Sequence, residues 1–138
     1  MIKEIIKEEE FLTQKSEAVT FEEAQEIITD LLDTAKAHID DCAGLAAPQI
    51  GVHKKVVVIR GGESFWPMIN PVIIKKSGKK FVNKEGCLSL EGIRAVERYS
   101  TILVAYIDKA GKRVTKTFNG VPAIIIQHEV DHLNGILI

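Results

Sequence analysis

The sequence predicts an α+β fold in which antiparallel strands pack around a central helix, and three observations carry that reading. Apolar residues recur at helical spacing in two places, after Thr20 and again after Val121. Between them lie short apolar runs bounded by Gly, Pro and Asn, the pattern of strands. The order helix, several strands, helix lacks the strand–helix alternation that a parallel sheet needs.

Residues 1–19 form an arm of mixed pattern, with Glu8-Glu9-Glu10 read as a solvated face. Thr20 opens the first helix: Thr20 and Glu23 have capping-box spacing, each side chain serving a free backbone N–H. Phe21, Ala24, Ile27, Ile28, Leu31, Leu32 and Ala35 then share one face, and the helix fades near Asp40-Asp41. Gly44–Gly51 reads as a tight loop of small residues around Pro48, leading into the first strand. Lys55–Arg60 reads as a buried strand closed by Gly61-Gly62. Met68–Ile74 holds two apolar patches split by Asn70-Pro71, which suits an edge strand with a break, because Pro has no N–H to donate. Thr101–Ile107 and Lys112–Phe118 flank Asp108-Lys109-Ala110-Gly111 as a hairpin. From Val121 the helical period returns, with Asn119 near its start and Pro122 tolerated in the first turn. Trp66 reads as a packed or cleft-rim aromatic, and His38 and His53 as helix-end and turn residues.

No linker, repeat or low-complexity tract divides the 138 residues, so a single domain, 1–138, is expected, large enough to bury a core without staples. The balance of 18 Lys and Arg against 19 Asp and Glu, net −1, gives no electrostatic footprint for nucleic acid or an anionic membrane, so neither is expected as a direct partner. The longest purely aliphatic stretch, Ala123–Ile126, falls far short of the ~20 residues of a membrane span. The start is acidic and broken by charges, unlike a secretory signal, and two cysteines cannot make a disulfide scaffold. A cytoplasmic location is expected.

The chemistry concentrates in three segments. His128-Glu129-Val130-Asp131-His132 sets two imidazoles four apart on a helix, where both can face one metal ion. Glu129, beside the first, is placed to act as general base on a metal-activated water. A catalytic metal needs a third protein ligand, and Leu133–Ile138 offers no His, Cys, Asp or Glu. Cys87, in Glu85-Gly86-Cys87-Leu88-Ser89, is the best upstream candidate, against the reading of a small buried hydrophobe. In the Gly44–Gly51 segment Gln49 is the polar exception, either a donor to a substrate carbonyl or a loop amide bonded to backbone.

Together these segments resemble the peptide deformylase family, whose motifs read G-x-G-L-A-A-x-Q-x-G, E-G-C-L-S and Q-H-E-x-D-H-L-x-G. The chain has Cys42-Ala43-Gly44-Leu45-Ala46-Ala47-Pro48-Gln49-Ile50-Gly51, then Glu85–Ser89 and Gln127–Gly135 intact. Ile69-Asn70-Pro71, Arg94 and Arg98 extend the similarity over nearly the whole chain. The resemblance implies a peptide deformylase-like fold and a hydrolase that removes the formyl group from N-terminal N-formylmethionine of nascent peptides. It implies one divalent metal on Cys87, His128 and His132, natively Fe2+, with Zn2+, Ni2+ or Co2+ as substitutes. Glu129 would move the proton, and Gln49 with the Leu88 N–H would hold the oxyanion. Ala43, Gly44 and Gly86 would pair with the peptide backbone; Ile124, Ile125 and the stem of Arg94 would line a methionine pocket.

Departures from the pattern motivate two alternatives: a metal- and peptide-binding paralogue with little turnover, or an amidohydrolase of altered N-acyl or side-chain specificity. Cys42 stands where the family has Gly, and would be strained if that position required positive φ. Glu91 and Glu97 replace prolines, and one residue is missing between Arg94 and Arg98. The chain also stops at Ile138, without the long C-terminal helix that in typical bacterial members helps dock on the ribosome, so the resemblance does not carry ribosome attachment by that helix over to this chain.

Overall fold

A computed structural model describes residues 1–138. The elements are α1 (Glu9–Leu12), α2 (Phe21–Ala37), β1 (Gly44–Ala46), β2 (Val56–Gly61), β3 (Ser64–Glu85), β4 (Arg94–Ile107), β5 (Arg113–Asn119) and α3 (Val121–Leu133). The five strands form one antiparallel sheet in the order β1-β2-β3-β4-β5, each strand beside its sequence neighbour.

Strand β2 shows why the molecule has three layers. Side chains alternate across a strand. Val56 and Val58 accordingly join Ala24, Ile28, Leu31 and Ala35 of α2 in one core. Val57 and Ile59 point the other way and join Ile102, Val104, Phe118 and, from α3, Ala123, Ile126, Val130 and Leu133. The sheet therefore lies between α2 and α3, and Val56–Ile59 of β2 is a continuous apolar run because both its faces are covered there.

Helix α2 begins where its cap predicts: the Thr20 side chain accepts from Glu23 N at 3.2 Å, and Glu23 Oε1 accepts from Thr20 N at 3.3 Å. The Gly44–Gly51 loop is more ordered than its composition suggests, a short strand followed by a 3-10 turn over Ala47–Ile50 that ends on Gly51 at φ 91°.

One strand reading needs correction. Met68–Ile74 is not a broken edge strand but part of β3, a 22-residue strand in the middle of the sheet order. Pro71 is accommodated because the β3–β4 register shifts between Ile69 and Val72, and Asn70 takes the left-handed region at φ 51°. Asn70 spends its amide on the N-terminal arm, accepting from Val19 N at 3.0 Å and donating to Val19 O at 2.8 Å. Strand β4 also starts at Arg94, well before Thr101, because the ladder to β3 continues through residues that carry no apolar alternation.

Candidate metal centre and active site

The end of β3 and the middle of α3 converge. Gln127 fixes the helix to the sheet by mimicking a strand neighbour: its Oε1 accepts from Tyr99 N at 3.0 Å and its Nε2 donates to Tyr99 O at 2.8 Å. With α3 so held, His128 and His132 stand one turn apart, ring centroids separated by 5.0 Å. The chain leaving β3 brings Cys87 Sγ to 3.3 Å from His132 Nε2.

These three residues fit a metal ion. The Cys87, His128 and His132 donor atoms lie within 4.8 Å of one another. Ligands on one tetrahedral ion, at bond lengths of about 2.0–2.3 Å, stand roughly 3.5 Å apart. His128 Nδ1 is engaged by Glu85 Oε1 at 2.7 Å, which leaves Nε2 for the metal side. Thiolate with imidazole suits several transition ions.

A buried ionic network supports His128. Glu85 accepts from Arg98 through both oxygens, Nε to Oε2 at 2.9 Å and Nη2 to Oε1 at 2.7 Å, and from Asn83 Nδ2 at 2.9 Å. Arg98, only 3% exposed, also donates to Asp131 at 2.6 Å. Burial alone would raise the Glu85 carboxyl, but hydrogen bonds from His128, Arg98 and Asn83 outweigh it and hold the group at about 2. Burial likewise disfavours charge on His128, yet its bonds to Cys87 and Glu85 prevail and push the ring up to about 10. His132 has no such carboxylate: burial and the charge of His128 push it down to about 3. Burial pushes Glu129 up to about 7, and its Oε1 has no partner in the chain.

The cleft above the three donors is lined by Asp41, Ala43, Gly44, Gln49, Glu85, Gly86, Cys87, Leu88, Ile124, Ile125, His128 and Glu129. The sequence-selected residues thus gather in one place, except that His132 lies beneath the surface and Arg94 falls outside the lining. Arg94 opens β4 opposite Glu85 in register; the arginine that reaches the site is Arg98. Gln49 Oε1 accepts from Ala46 N at 3.0 Å, as a loop amide bonded to backbone does, while Nε2 donates to Cys87 Sγ at 3.3 Å and Ser89 Oγ at 3.2 Å. The Leu88 N–H has no backbone acceptor.

Gly44 leaves no room for a side chain unless its neighbours shift. A Cβ there would lie 2.8 Å from Glu129 Oε2 and 2.9 Å from Ile125 Cγ2. Cys42 sits outside the lining, buried in the core under α2, with its Sγ on Gly44 O at 3.3 Å. Its φ is not positive, so the strain considered for this position does not arise.

Sequence reasoning assigned no role to Glu85, Arg98 or Asp41. The Glu-Gly-Cys spacing was the available signal for Glu85, but its partners are 13 and 43 positions away. Asp41, at the cleft mouth, carries no local signature beyond its charge.

The chain matches the family model for polypeptide deformylase over residues 2–138. It is 49% identical to a peptide deformylase of Clostridium beijerinckii over 138 residues, the whole of both chains. It is 37% identical to peptide deformylase 2 of Clostridium acetobutylicum, covering 96% of this chain and 89% of that one. Among solved structures, a class I type b peptide deformylase from Acinetobacter baumannii with Met-Ala-Ser bound superposes at a TM-score of 0.88, at 30% identity, covering 99% of this chain and 97% of that one. With such matches end to end, on a fold and a Cys/His/His cluster reached independently from the residues, the chain belongs to the polypeptide deformylase family.

Proposed function

We propose that this chain, acting as one domain in the cytoplasm, hydrolyses the formyl group from the N-terminal N-formylmethionine of nascent peptides and releases formate. The observation that carries the reading is the buried, unpartnered Glu129 oxygen beside the Cys87, His128 and His132 donor cluster. The Acinetobacter relative holds Met-Ala-Ser, a peptide that begins with methionine as a deformylated product does.

Cys87, His128 and His132 would hold one divalent ion, natively Fe2+, with Zn2+, Ni2+ or Co2+ able to substitute. When bound, such an ion supplies Lewis acidity and lowers the pKa of a coordinated water. Glu129 takes the proton of the attacking water as it adds to the formyl carbon, and then delivers it to the departing amine. The desolvation that raises Glu129 matches its affinity for a proton to this two-way task. Gln49 Nε2 and the Leu88 N–H donate to the oxygen on which negative charge develops. The peptide lies extended against the backbone of Ala43, Gly44 and Gly86, with its first side chain toward Ile124 and Ile125.

The test is formate release from a formyl-Met peptide by protein loaded anaerobically with iron. Glu129→Gln keeps the shape and cannot take the proton, so turnover is expected to fall by a factor of about 10^2–10^4 while metal is retained. Tight peptide binding without formate, or turnover untouched in Glu129→Gln, overturns the reading.

A further inference from the structure

Ser89 lies beside the cleft without lining it, and it is only 4% exposed. Burying a hydroxyl costs free energy unless a hydrogen bond offsets it. Here the bonds lead to two residues of the site. Ser89 Oγ accepts from Gln49 Nε2 at 3.2 Å, and the Ser89 N–H donates to Cys87 Sγ at 3.4 Å.

The orientation of the Gln49 amide follows from its partners. The Ala46 N–H only donates, so the atom facing it is the oxygen, and Nε2 is turned to Cys87 and Ser89. Pinned at the oxygen alone, the amide could still swing about its last torsion, which is broad and soft. Two acceptors on Nε2 stop that swing. Cys87 Sγ is one, but it is also a proposed metal ligand; Ser89 Oγ is the other and makes no further hydrogen bond. With one Nε2 proton on Ser89, the second is directed to Cys87 Sγ, at the donor cluster where a reacting oxygen would stand. The Ser89 N–H meanwhile closes the Cys87-Leu88-Ser89 turn onto the sulfur. Leu88 between them lines the cleft, its N–H without a backbone acceptor. Both proposed oxyanion donors thus depend on one serine, the amide through its hydroxyl and the Leu88 N–H through its main chain.

We propose that Ser89 is a positioning residue for the hydrolysis: its hydroxyl holds the Gln49 amide with an Nε2 proton aimed at the oxygen that gains negative charge. It touches neither substrate nor metal and acts through Gln49. The catalytic consequence rests on the deformylation reading; the contact itself does not. An oxyanion donor is effective when it is fixed in advance, because it then needs no reorganisation at the moment of reaction. Loss of the hydroxyl is therefore felt in the transition state, as a fall in kcat with KM little changed.

The test is a double-mutant cycle on formate release from a formyl-Met peptide, with Ser89→Ala and Gln49→Ala singly and together. Gln49→Ala should lower kcat by a factor of about 10^2–10^3, as removal of an oxyanion donor does. Ser89→Ala should lower it about tenfold in the parent, as a misplaced group does, and no further in the Gln49→Ala background. KM and metal content should stay near the parent's in Ser89→Ala. A second measurement needs no turnover: hydrogen exchange of the Gln49 side-chain amide, followed by NMR on Zn2+-loaded protein and identified by its absence from Gln49→Ala. In the parent this exchange should be slower than in free glutamine, and Ser89→Ala should quicken it about tenfold. A parent that releases no formate overturns the deformylation reading, and the exchange rates then still decide whether Ser89 holds the amide. Unchanged kcat in Ser89→Ala, an equal loss in both backgrounds, loss of metal, or unchanged exchange overturns the proposal. If Ser89→Ala does not fold, exchange in the parent as fast as in free glutamine is the overturning result.

Discussion

Glu85 Oε1 lies 2.7 Å from His128 Nδ1, so a carboxylate at the end of one strand sets the orientation of a ring on the last helix. Glu85→Gln keeps the volume and removes the charge. Metal affinity is expected to fall about 10- to 100-fold, the usual effect of losing such a partner, and a chelator competition measures it. Glu85→Ala should in addition cost about 3–5 kcal/mol, because Arg98 stays buried with only Asp131 to answer it. Thermal unfolding reads that loss.

Cys87→Ala removes the only sulfur from the donor cluster. Two imidazoles make a weak, open site, so metal content by elemental assay should drop to a small fraction of the parent's. Full occupancy in this variant would place the third ligand elsewhere.

Gly44→Ala drives a methyl group against Glu129 Oε2 and Ile125 Cγ2. A destabilisation of about 1–3 kcal/mol is expected from overpacking. Because the displaced group is Glu129, kcat should fall more than the stability change alone accounts for, with KM as the control.

Cys42→Gly tests one of the positions where the chain departs from the family motif. Cys42 does not line the cleft, so preference for the first peptide side chain should be unchanged. Loss of a buried side chain from the core under α2 should lower the unfolding midpoint. A shift in side-chain preference would contradict this placement.

The Thr20–Glu23 capping box sets a pH dependence of stability. Hydrogen bonds from the Thr20 side chain and backbone lower the Glu23 carboxyl below the ordinary carboxylate value. A depressed folded-state pKa gives stability that is present above the unfolded pKa and is lost as pH falls through the folded one. Wild type should therefore exceed Glu23→Gln in unfolding midpoint at neutral pH, and the gap should close on acidification. Thr20→Ala should cost about 1 kcal/mol at neutral pH.

Legibility in the sequence followed locality. The Thr20 cap, the apolar run of β2 and the pair His128 and His132 depend on residues within one or two turns or a single strand, and periodicity exposes them. The full length of β3 is not legible, because Lys75–Lys84 has no apolar alternation and its pairing is held by the ladder to β4 rather than by burial. Asn70-Pro71 looked like a break because the bulge that absorbs it belongs to two strands at once. The Glu85, Arg98, Asp131 and His128 network joins three elements, and no spacing rule reveals it. Arg94 was selected by resemblance, yet the register that sets it opposite Glu85 leaves the reach into the site to Arg98.

Cys87 and His132 stand 45 positions apart in the chain. On the proposed ligand set, an ion would find its complete seat only where the hairpin register and the docking of the final helix are both in place. Its capture would then act as a clasp between the middle of the chain and its end, adding binding energy to the folded state alone. A chain interrupted before His132 would lack one of the three donors, and with it the site.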